Sequence, residues 1–145
     1  GFYTPANSDV MLKELSYLIV NSLNNYTYQN LENQYREIQG FFNDDMLAVA
    51  QSHFKELISV AYQDERSAKF IPDQTAFRIE GDTGPSGRGK KQTVIIEGTR
   101  QYIMAGTVGE AEPIRFTMEF KQRFISKANP FGFELLSYDE KVLNR

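Results

Sequence analysis

The chain has 145 residues, a net charge of −3 and no cysteine. This length fits a single domain whose core needs no disulfide bonds, and the lack of cysteine excludes a thiol nucleophile and a thiolate metal site. A slightly acidic chain argues against a broadly basic surface for phosphate binding, so we expect no direct contact with nucleic acid. The sequence contains no apolar run long enough to span a bilayer.

The N-terminal part of the chain carries apolar residues at intervals of three and four. One set begins at Asn7 or Ser8, a second begins near Asn25 or Thr27, and a third follows Asn43 and runs to about position 64. Such intervals place the apolar side chains on one face of a helix. The spacing therefore predicts three consecutive helices with short connections.

After Pro72 the apolar period changes to two, which is typical of β-strands. The alternation predicts four strands, at about 74–81, 93–105, 114–124 and 131–138. The third strand is the clearest, because its apolar side chains alternate with polar ones and predict one buried and one wet face. Those apolar residues are Ile114, Phe116, Met118, Phe120 and Phe124.

Helices followed by strands predict an α+β fold, with three N-terminal helices packed on a curved four-stranded antiparallel sheet. We expect one domain over residues 8–140 and a charged tail at 141–145. Because the third strand turns only hydrocarbon toward the helices, we expect the hollow of the sheet to be apolar and chemically inert.

The segment from Gly84 to Lys91 fits the first positions of a phosphate-binding loop, with Gly84, Gly89 and Lys90 at the expected spacing. Lys91 then stands where a hydroxyl group should hold magnesium, and the segment leads into a predicted strand instead of a helix. We interpret it as a solvated hairpin loop whose basic side chains leave contact with an acidic partner open.

No set of residues in the sequence has the pattern of a catalytic site. His53 is the only histidine, and its place on the apolar face of the third predicted helix predicts a partly buried side chain instead of a metal ligand. Asp44 and Asp45 precede the same helix, whose N-terminal amides favour carboxylates. We therefore expect no enzymatic activity, no cofactor and no metal site.

Aromatic residues are abundant, with 8 tyrosines and 11 phenylalanines. Some are expected at interfaces, where aromatic anchors are enriched, although lining of the core is the simpler explanation. The run Asn129-Pro130-Phe131-Gly132 predicts a turn between the third and fourth strands. Proline fixes its own φ and biases the preceding residue toward extended backbone, while glycine permits angles that other residues avoid.

These segments together resemble a known family. The three helices, a first strand at 74–79, a second at 94–100 with Glu97-Gly98-Thr99 at its centre, and the Asn-Pro-x-Gly turn occur in that order. In this order the chain resembles the extracytoplasmic domain of the TraE-like inner-membrane subunits of type IV secretion and conjugative transfer machines. The resemblance covers about residues 8–138, and the turn matches a signature of the wider family.

The resemblance implies a cone-like fold of the nuclear transport factor 2 type. It also implies a short cytoplasmic tail and one membrane-spanning helix ahead of the domain, so residues 1–7 are expected to be a linker after a removed anchor. The domain would then lie on the periplasmic face of the inner membrane, attached through an N-terminal helix that this chain does not contain.

The function implied is that of a non-catalytic assembly subunit that forms homo-oligomers and contacts other type IV secretion subunits. We expect two partner-binding surfaces, one on the exposed side of the first helix and one at the turn with the edge strand that follows it. Their residues are Lys13, Glu14 and Tyr17, and Asn129, Pro130, Phe131 and Gly132. The alternative is a small hydrophobic ligand-binding or isomerase-like domain of the same cone fold.

Overall fold

Three helices come first in the chain, as the apolar spacing predicts. The computed structural model describes residues 8–144, so the predicted linker at 1–7 and the last residue of the predicted tail lie outside the described residues. The helices are α1 (Ser8–Asn24), α2 (Leu31–Ile38) and α3 (Asp44–Gln63).

The second helix begins later than the spacing predicts. Tyr26 forms an isolated antiparallel bridge with Ala68, so the chain between α1 and α2 is tied to the sheet and cannot be helical there. At the start of α3 the side chain of Asn43 accepts a hydrogen bond from the backbone N–H of Met46 at 2.8 Å. Asn43 is therefore the cap of α3, and the acidic first turn with Asp44 and Asp45 agrees with the sequence prediction.

The sheet has six strands where the sequence predicts four. The complete set is β1 (Arg66–Pro72), β2 (Arg78–Glu80), β3 (Gln92–Met104), β4 (Thr107–Val108), β5 (Glu112–Gln122) and β6 (Phe133–Val142). The two additional strands are β1, whose apolar pattern is irregular, and the short β4. All pairings are antiparallel, in the order β1-β3-β5-β6, and β2 and β4 also pair with β3.

Strand β1 was missed because its apolar signal is weak. Its buried face carries Ala68 and Phe70, while Ile71 is exposed on the opposite face. Glu65, with φ of 47°, makes the sharp change of direction from α3 into β1. The strand predicted at 74–81 is mostly a 3-10 turn at 74–76, held by the side chain of Asp73, and only its end forms β2.

Strands β5 and β6 also differ in length from the predictions. Phe124, which was predicted to be on the buried face, is 66% exposed because β5 ends at Gln122. Strand β6 continues past Tyr138, and Lys141 and Val142 pair with β5. Strand pairing therefore includes Lys141 and Val142, which the sequence analysis assigned to a charged tail.

The core lies between the concave face of the sheet and the helices. The four inward residues of β5 are fully buried, as the alternation predicts, and they pack in one cluster with the apolar side of α1. Those residues are Ile114, Phe116, Met118 and Phe120 from β5, with Leu12, Leu15 and Ile19 from α1.

At Gly98 in β3, the neighbouring strand β1 approaches too closely for a side chain. A Cβ atom at this position would collide with the carbonyl oxygen of Ile71 and lie 2.6 Å from the ring of Phe70. We expect Gly98→Ala to destabilise the domain by about 1–3 kcal/mol, because the added carbon overpacks the site. Chemical denaturation measures this free energy of unfolding.

Gly40→Ala is the matched control, because a Cβ atom at position 40 meets nothing within 4 Å. We expect its free energy of unfolding to stay within about 0.5 kcal/mol of the unmodified chain. Equal effects of the two substitutions would contradict the close approach of β1 and β3.

Candidate functional site

The turn between β5 and β6 is closed by a buried side chain. The side-chain nitrogen of Asn129 donates to the carbonyl oxygen of Phe133 at 2.7 Å, and its Oδ1 accepts from the backbone N–H of Phe131 at 3.2 Å. Gly132 has φ of +78°, in the left-handed region that favours glycine. Asn129 and Gly132 are both buried, so the surface that the turn offers to a partner is that of Pro130 and Phe131.

The exposed part of the turn packs against the connection between α2 and α3. The ring of Phe131 meets that of Phe41 edge-on, with ring centroids 5.5 Å apart. Pro130 is exposed beside it. The turn is therefore a firmly held projection of the sheet.

The predicted surface on α1 is partly covered by the segment before β2. The ammonium group of Lys13 lies 4.9 Å from the centre of the Phe77 ring, and the ring of Tyr17 stacks on the same ring at 5.5 Å. Burial, with a contribution from the charge of Asp73, raises the pKa of Tyr17. Glu14 remains exposed, and the exposed apolar residues Val10 and Leu18 flank it on α1.

Each predicted surface therefore packs against a different part of the chain. Lys13 and Tyr17 contact the segment leading to β2, whereas the turn contacts the residues leading to α3. The structure leaves Glu14, with Val10 and Leu18, as the open part of the first surface. It leaves Pro130 and Phe131 as the open part of the second.

A buried ionic cluster that the sequence analysis did not identify lies at one end of the concave face. Arg100 of β3 has a side chain only 6% exposed, and its Nε donates to Glu112 at 2.9 Å. Its Nη1 donates to Asn24 at 3.1 Å and to both carboxylate oxygens of Glu140 at 3.1 Å. Asn24 in turn donates to the hydroxyl oxygen of Tyr138 at 3.1 Å.

The alternation of side chains along β3 indicates the inward position of Arg100 in this cluster. Arg100 is at an even position, like the inward Val94 and Ile96, so the alternation places its side chain toward the helices. A charged side chain there must be paired, because an unpaired buried charge is too costly. The partners come from α1, β5 and β6, which are far apart in the sequence.

The cluster changes the protonation behaviour of its members. Burial, the largest single influence, would lower the pKa of Arg100, but Glu140, Tyr102 and Glu112 together outweigh it and raise that pKa above its ordinary value. Burial raises the pKa of Tyr138 far above its ordinary value, and the charge of Glu140 adds to the effect. Arg100 is therefore a permanent cation and Tyr138 a neutral hydrogen-bonding group.

A cavity of about 610 Å³ opens beside the cluster. Its apolar wall comes from α3, with Met46, Ala50 and Phe54, and its polar wall includes Arg100, Tyr138 and Glu140. The expectation of a chemically inert hollow was therefore wrong at this end, although it was correct for the inward side chains of β5. The cavity is where this fold combines apolar surface with charged groups.

Two other predicted features have different outcomes. His53 is exposed, where the spacing predicts partial burial, because the face of α3 that carries it turns away from the core at the cavity. The segment at 84–91 forms a 3-10 turn at Pro85–Gly87 and leads into β3, as predicted, so it presents no helix N-terminus to a phosphate. Residues 8–144 contain no group of three or more His, Cys, Asp or Glu side chains placed to hold a metal ion.

Comparison with known proteins gives matches in structure alone. No family model matches the sequence, and no curated protein matches it in sequence. The periplasmic domain of DotI has a TM-score of 0.74 at 14% identity, and the alignment covers 97% of this chain and 99% of that domain.

Two further structures extend the comparison. An IcmL-like type IV secretion system protein from Legionella pneumophila has a TM-score of 0.69 at 14% identity, over 100% of this chain and 97% of its own. TraE, solved in complex with 2-(2-furyl)isonicotinic acid, has a TM-score of 0.61 at 14% identity, over 99% of this chain and 100% of its own. The chain has the fold of these secretion-system domains.

This result confirms the predicted fold class and, at the level of the fold, the resemblance to the TraE-like domains. Three helices pack on an antiparallel sheet, which has six strands in this chain. At such low identity the matches show a common fold, and residue roles do not transfer from one chain to another.

We expect Arg100→Met to destabilise the domain, because it removes a buried cation and leaves the side chain of Asn24 without its charged partner. The loss should be about 1–3 kcal/mol, since Glu112 and Glu140 are partly exposed and regain water. Urea denaturation at neutral pH measures it.

Arg78→Met is the matched control for this prediction. Arg78 pairs with Glu80 at 3.5 Å, but both side chains are more than half exposed. An exposed pair of this kind contributes at most about 1 kcal/mol. A loss in Arg100→Met no larger than that in Arg78→Met would show that the cluster does not support the fold.

Proposed function

We propose that this domain is a non-catalytic assembly subunit of a type IV secretion machine that associates with itself and contacts other channel components. The observation that carries the proposal is the extent of the structural match. Several proteins whose names place them in type IV secretion systems align over 93–100% of this chain. Because the whole domain matches, the likeness is not restricted to a common helix–sheet motif.

The proposed location is the periplasm, at the face of the inner membrane. Two of the structural neighbours are described as periplasmic pieces of their proteins, those of DotI and TraM. The sequence resemblance implies a single membrane-spanning helix ahead of the domain in the full-length protein. Within residues 8–144, no helix has the length and apolar character needed to cross a membrane.

The proposed contact surfaces are the open parts of the two sequence-predicted ones. On α1, Glu14 lies between the exposed apolar side chains of Val10 and Leu18, which are 47% and 40% exposed. An apolar strip with a central charge is suited to a protein interface, where the charge sets specificity. The exposed surface of Pro130 and Phe131 is a second, smaller contact.

Reversing the charge of Glu14 tests this function. In a bacterium that carries the full-length gene and its own transfer system, we expect Glu14→Arg to lower transfer by about tenfold, as for a central interface residue. Transfer frequency after complementation of a gene deletion is the measurement. Thermal unfolding of the purified domain should be unchanged, because the side chain is exposed.

Glu37→Arg on α2 is the matched control, since Glu37 is also an exposed helical glutamate. It should complement fully. Normal transfer in a strain that lacks the gene would overturn the proposed role in secretion, whereas normal transfer with Glu14→Arg alone would remove only the α1 surface.

The cavity beside Arg100 favours a second candidate function, the binding of a small molecule. Its volume of about 610 Å³ is within the range of small-molecule sites, and it combines an apolar wall with a few charged groups. The neighbour TraE is described in complex with 2-(2-furyl)isonicotinic acid, an aromatic acid. The side chains of Arg100 and Glu140 are already engaged with each other at 3.1 Å, so this pair is not a free acid or base for an isomerase reaction.

A thermal-shift titration with 2-(2-furyl)isonicotinic acid tests this candidate. If the cavity takes such a molecule, the melting temperature should rise with ligand concentration, and Val49→Arg at the cavity wall should abolish the rise. Val49 is 70% exposed, so the substitution should leave the fold intact. No shift in the unmodified domain would exclude this ligand class.

A further inference from the structure

The two edges of the sheet differ in how far the outward backbone groups of the edge strand are covered. The edge of β1 is covered, because Tyr26 and Ala68 exchange two backbone hydrogen bonds of 3.0 Å. The next outward N–H, that of Phe70, donates to the side chain of Asn25 at 2.8 Å. Pro72 ends the strand and has no N–H to offer. This edge is therefore closed to further strand pairing.

Within residues 8–144, the opposite edge, on β6, is covered only at its beginning. There the carbonyl oxygen of Leu135 accepts a hydrogen bond from the N–H of Asn43 at 2.9 Å. Further along, the N–H of Leu143 donates to Pro113 of β5 at 2.8 Å. Since backbone groups alternate in direction along a strand, 139 and 141 also face β5, and 138, 140 and 142 face outward.

No other strand of the described chain lies beyond β6 in the sheet order. The outward N–H and C=O groups of 138–142 therefore form an open pairing edge. The side chains along it are mostly exposed, and Val142 is 45% exposed. Natural proteins protect such an edge with proline, a bulge, a covering segment or charged side chains. Among the described residues, this segment has only the last of these, in Asp139, Glu140 and Lys141.

We propose that residues 138–142 of β6 pair antiparallel with the same residues of a second copy of this chain, about a two-fold axis at Glu140. The two sheets would then join into one. The proposal rests on the self-association in the proposed function and specifies its geometry.

The charges on the outer face select this register. Pairing about Glu140 places Asp139 opposite Lys141 of the second copy, and Lys141 opposite its Asp139, so two oppositely charged pairs form. Two neighbouring registers keep the same backbone groups in hydrogen bonds, one centred on position 139 and one on position 141. The first places Asp139 opposite Asp139 of the second copy, and the other places Lys141 opposite Lys141 of the second copy. Opposite charges across strands stabilise a sheet and like charges destabilise it.

The inner face is compatible with the same register. Val142 would lie opposite Tyr138 of the second copy, and this contact would cover the exposed apolar surface of Val142. The two Glu140 side chains would face each other, but each carboxylate is already paired with Arg100 of its own chain at 3.1 Å. A strand from a different protein could use the same backbone groups, but only a second copy provides the reciprocal charge pairs.

Charge exchange tests the register. In sedimentation equilibrium of the purified domain, Asp139→Lys and Lys141→Asp should each raise the dimer dissociation constant about tenfold, because two attractive pairs become repulsive. The double variant Asp139→Lys/Lys141→Asp restores both pairs, and its dissociation constant should return to within about threefold of the original. Both side chains are exposed, so thermal unfolding of the monomer should be unchanged in all three.

Disulfide formation provides a direct measurement in a chain without native cysteine. Positions 139 and 141 of the two copies would form a pair without mutual hydrogen bonds, with Cα atoms about 4.5 Å apart and within reach of a disulfide. A mixture of Asp139→Cys and Lys141→Cys chains should cross-link on mild oxidation, and more than either variant alone. The control is a mixture of Lys69→Cys, on the covered edge, with Lys141→Cys, and these two chains should not cross-link to each other.

The outcomes separate this proposal from the proposed function. A domain that dimerises normally in both single charge variants, or that the double variant fails to rescue, would overturn the strand pairing and leave self-association intact. A domain that stays monomeric and gives no mixed disulfide would also overturn it, while the transfer assay decides the secretion role independently. Rescue by the double variant together with the mixed disulfide would establish the pairing.

Discussion

Burial of the concave face of the sheet under α1 and α3 is the constraint on which the rest of the structure depends. The inward side chains of β5 are hydrocarbon from Ile114 to Phe120 and have no exposure to solvent. Burial of this much apolar surface is the main favourable term in folding. It determines which side of each neighbouring strand must face the helices, and therefore where the polar residues of those strands lie.

The same constraint explains the buried cluster around Arg100. The alternation of β3 requires this residue to point inward, at the end of the concave face where α1 stops and β6 passes. The charge is tolerated because Glu112, Glu140 and Asn24 surround it with hydrogen bonds. The cluster ties α1 to three strands, and the cavity next to it is the place where the packing of α3 against the sheet is incomplete.

The features that favour an assembly role are on the outside of the same framework. The strip on α1 around Glu14, the projecting turn and the open edge of β6 are formed by different segments of the chain. The contrast between the two sheet edges is informative, because one molecule covers the edge of β1 with a dedicated segment and leaves the other edge open. An open edge can pair with a strand of another chain, and a second open edge would promote uncontrolled association.

The sequence by itself determined the fold class, the three helices and the long strands, because apolar periods of 3.6 and 2 follow from which face of an element is buried. It also determined the turn at 129–132, since proline and glycine restrict the backbone locally. Tertiary structure decided what depends on partners distant in the sequence: β1, whose single strong inward residue Phe70 gives little pattern, the extension of β6, and the ion pairs of Arg100. The hydrogen bonds of this cluster join residues up to 114 positions apart, and a local pattern contains no information about which distant residues will meet.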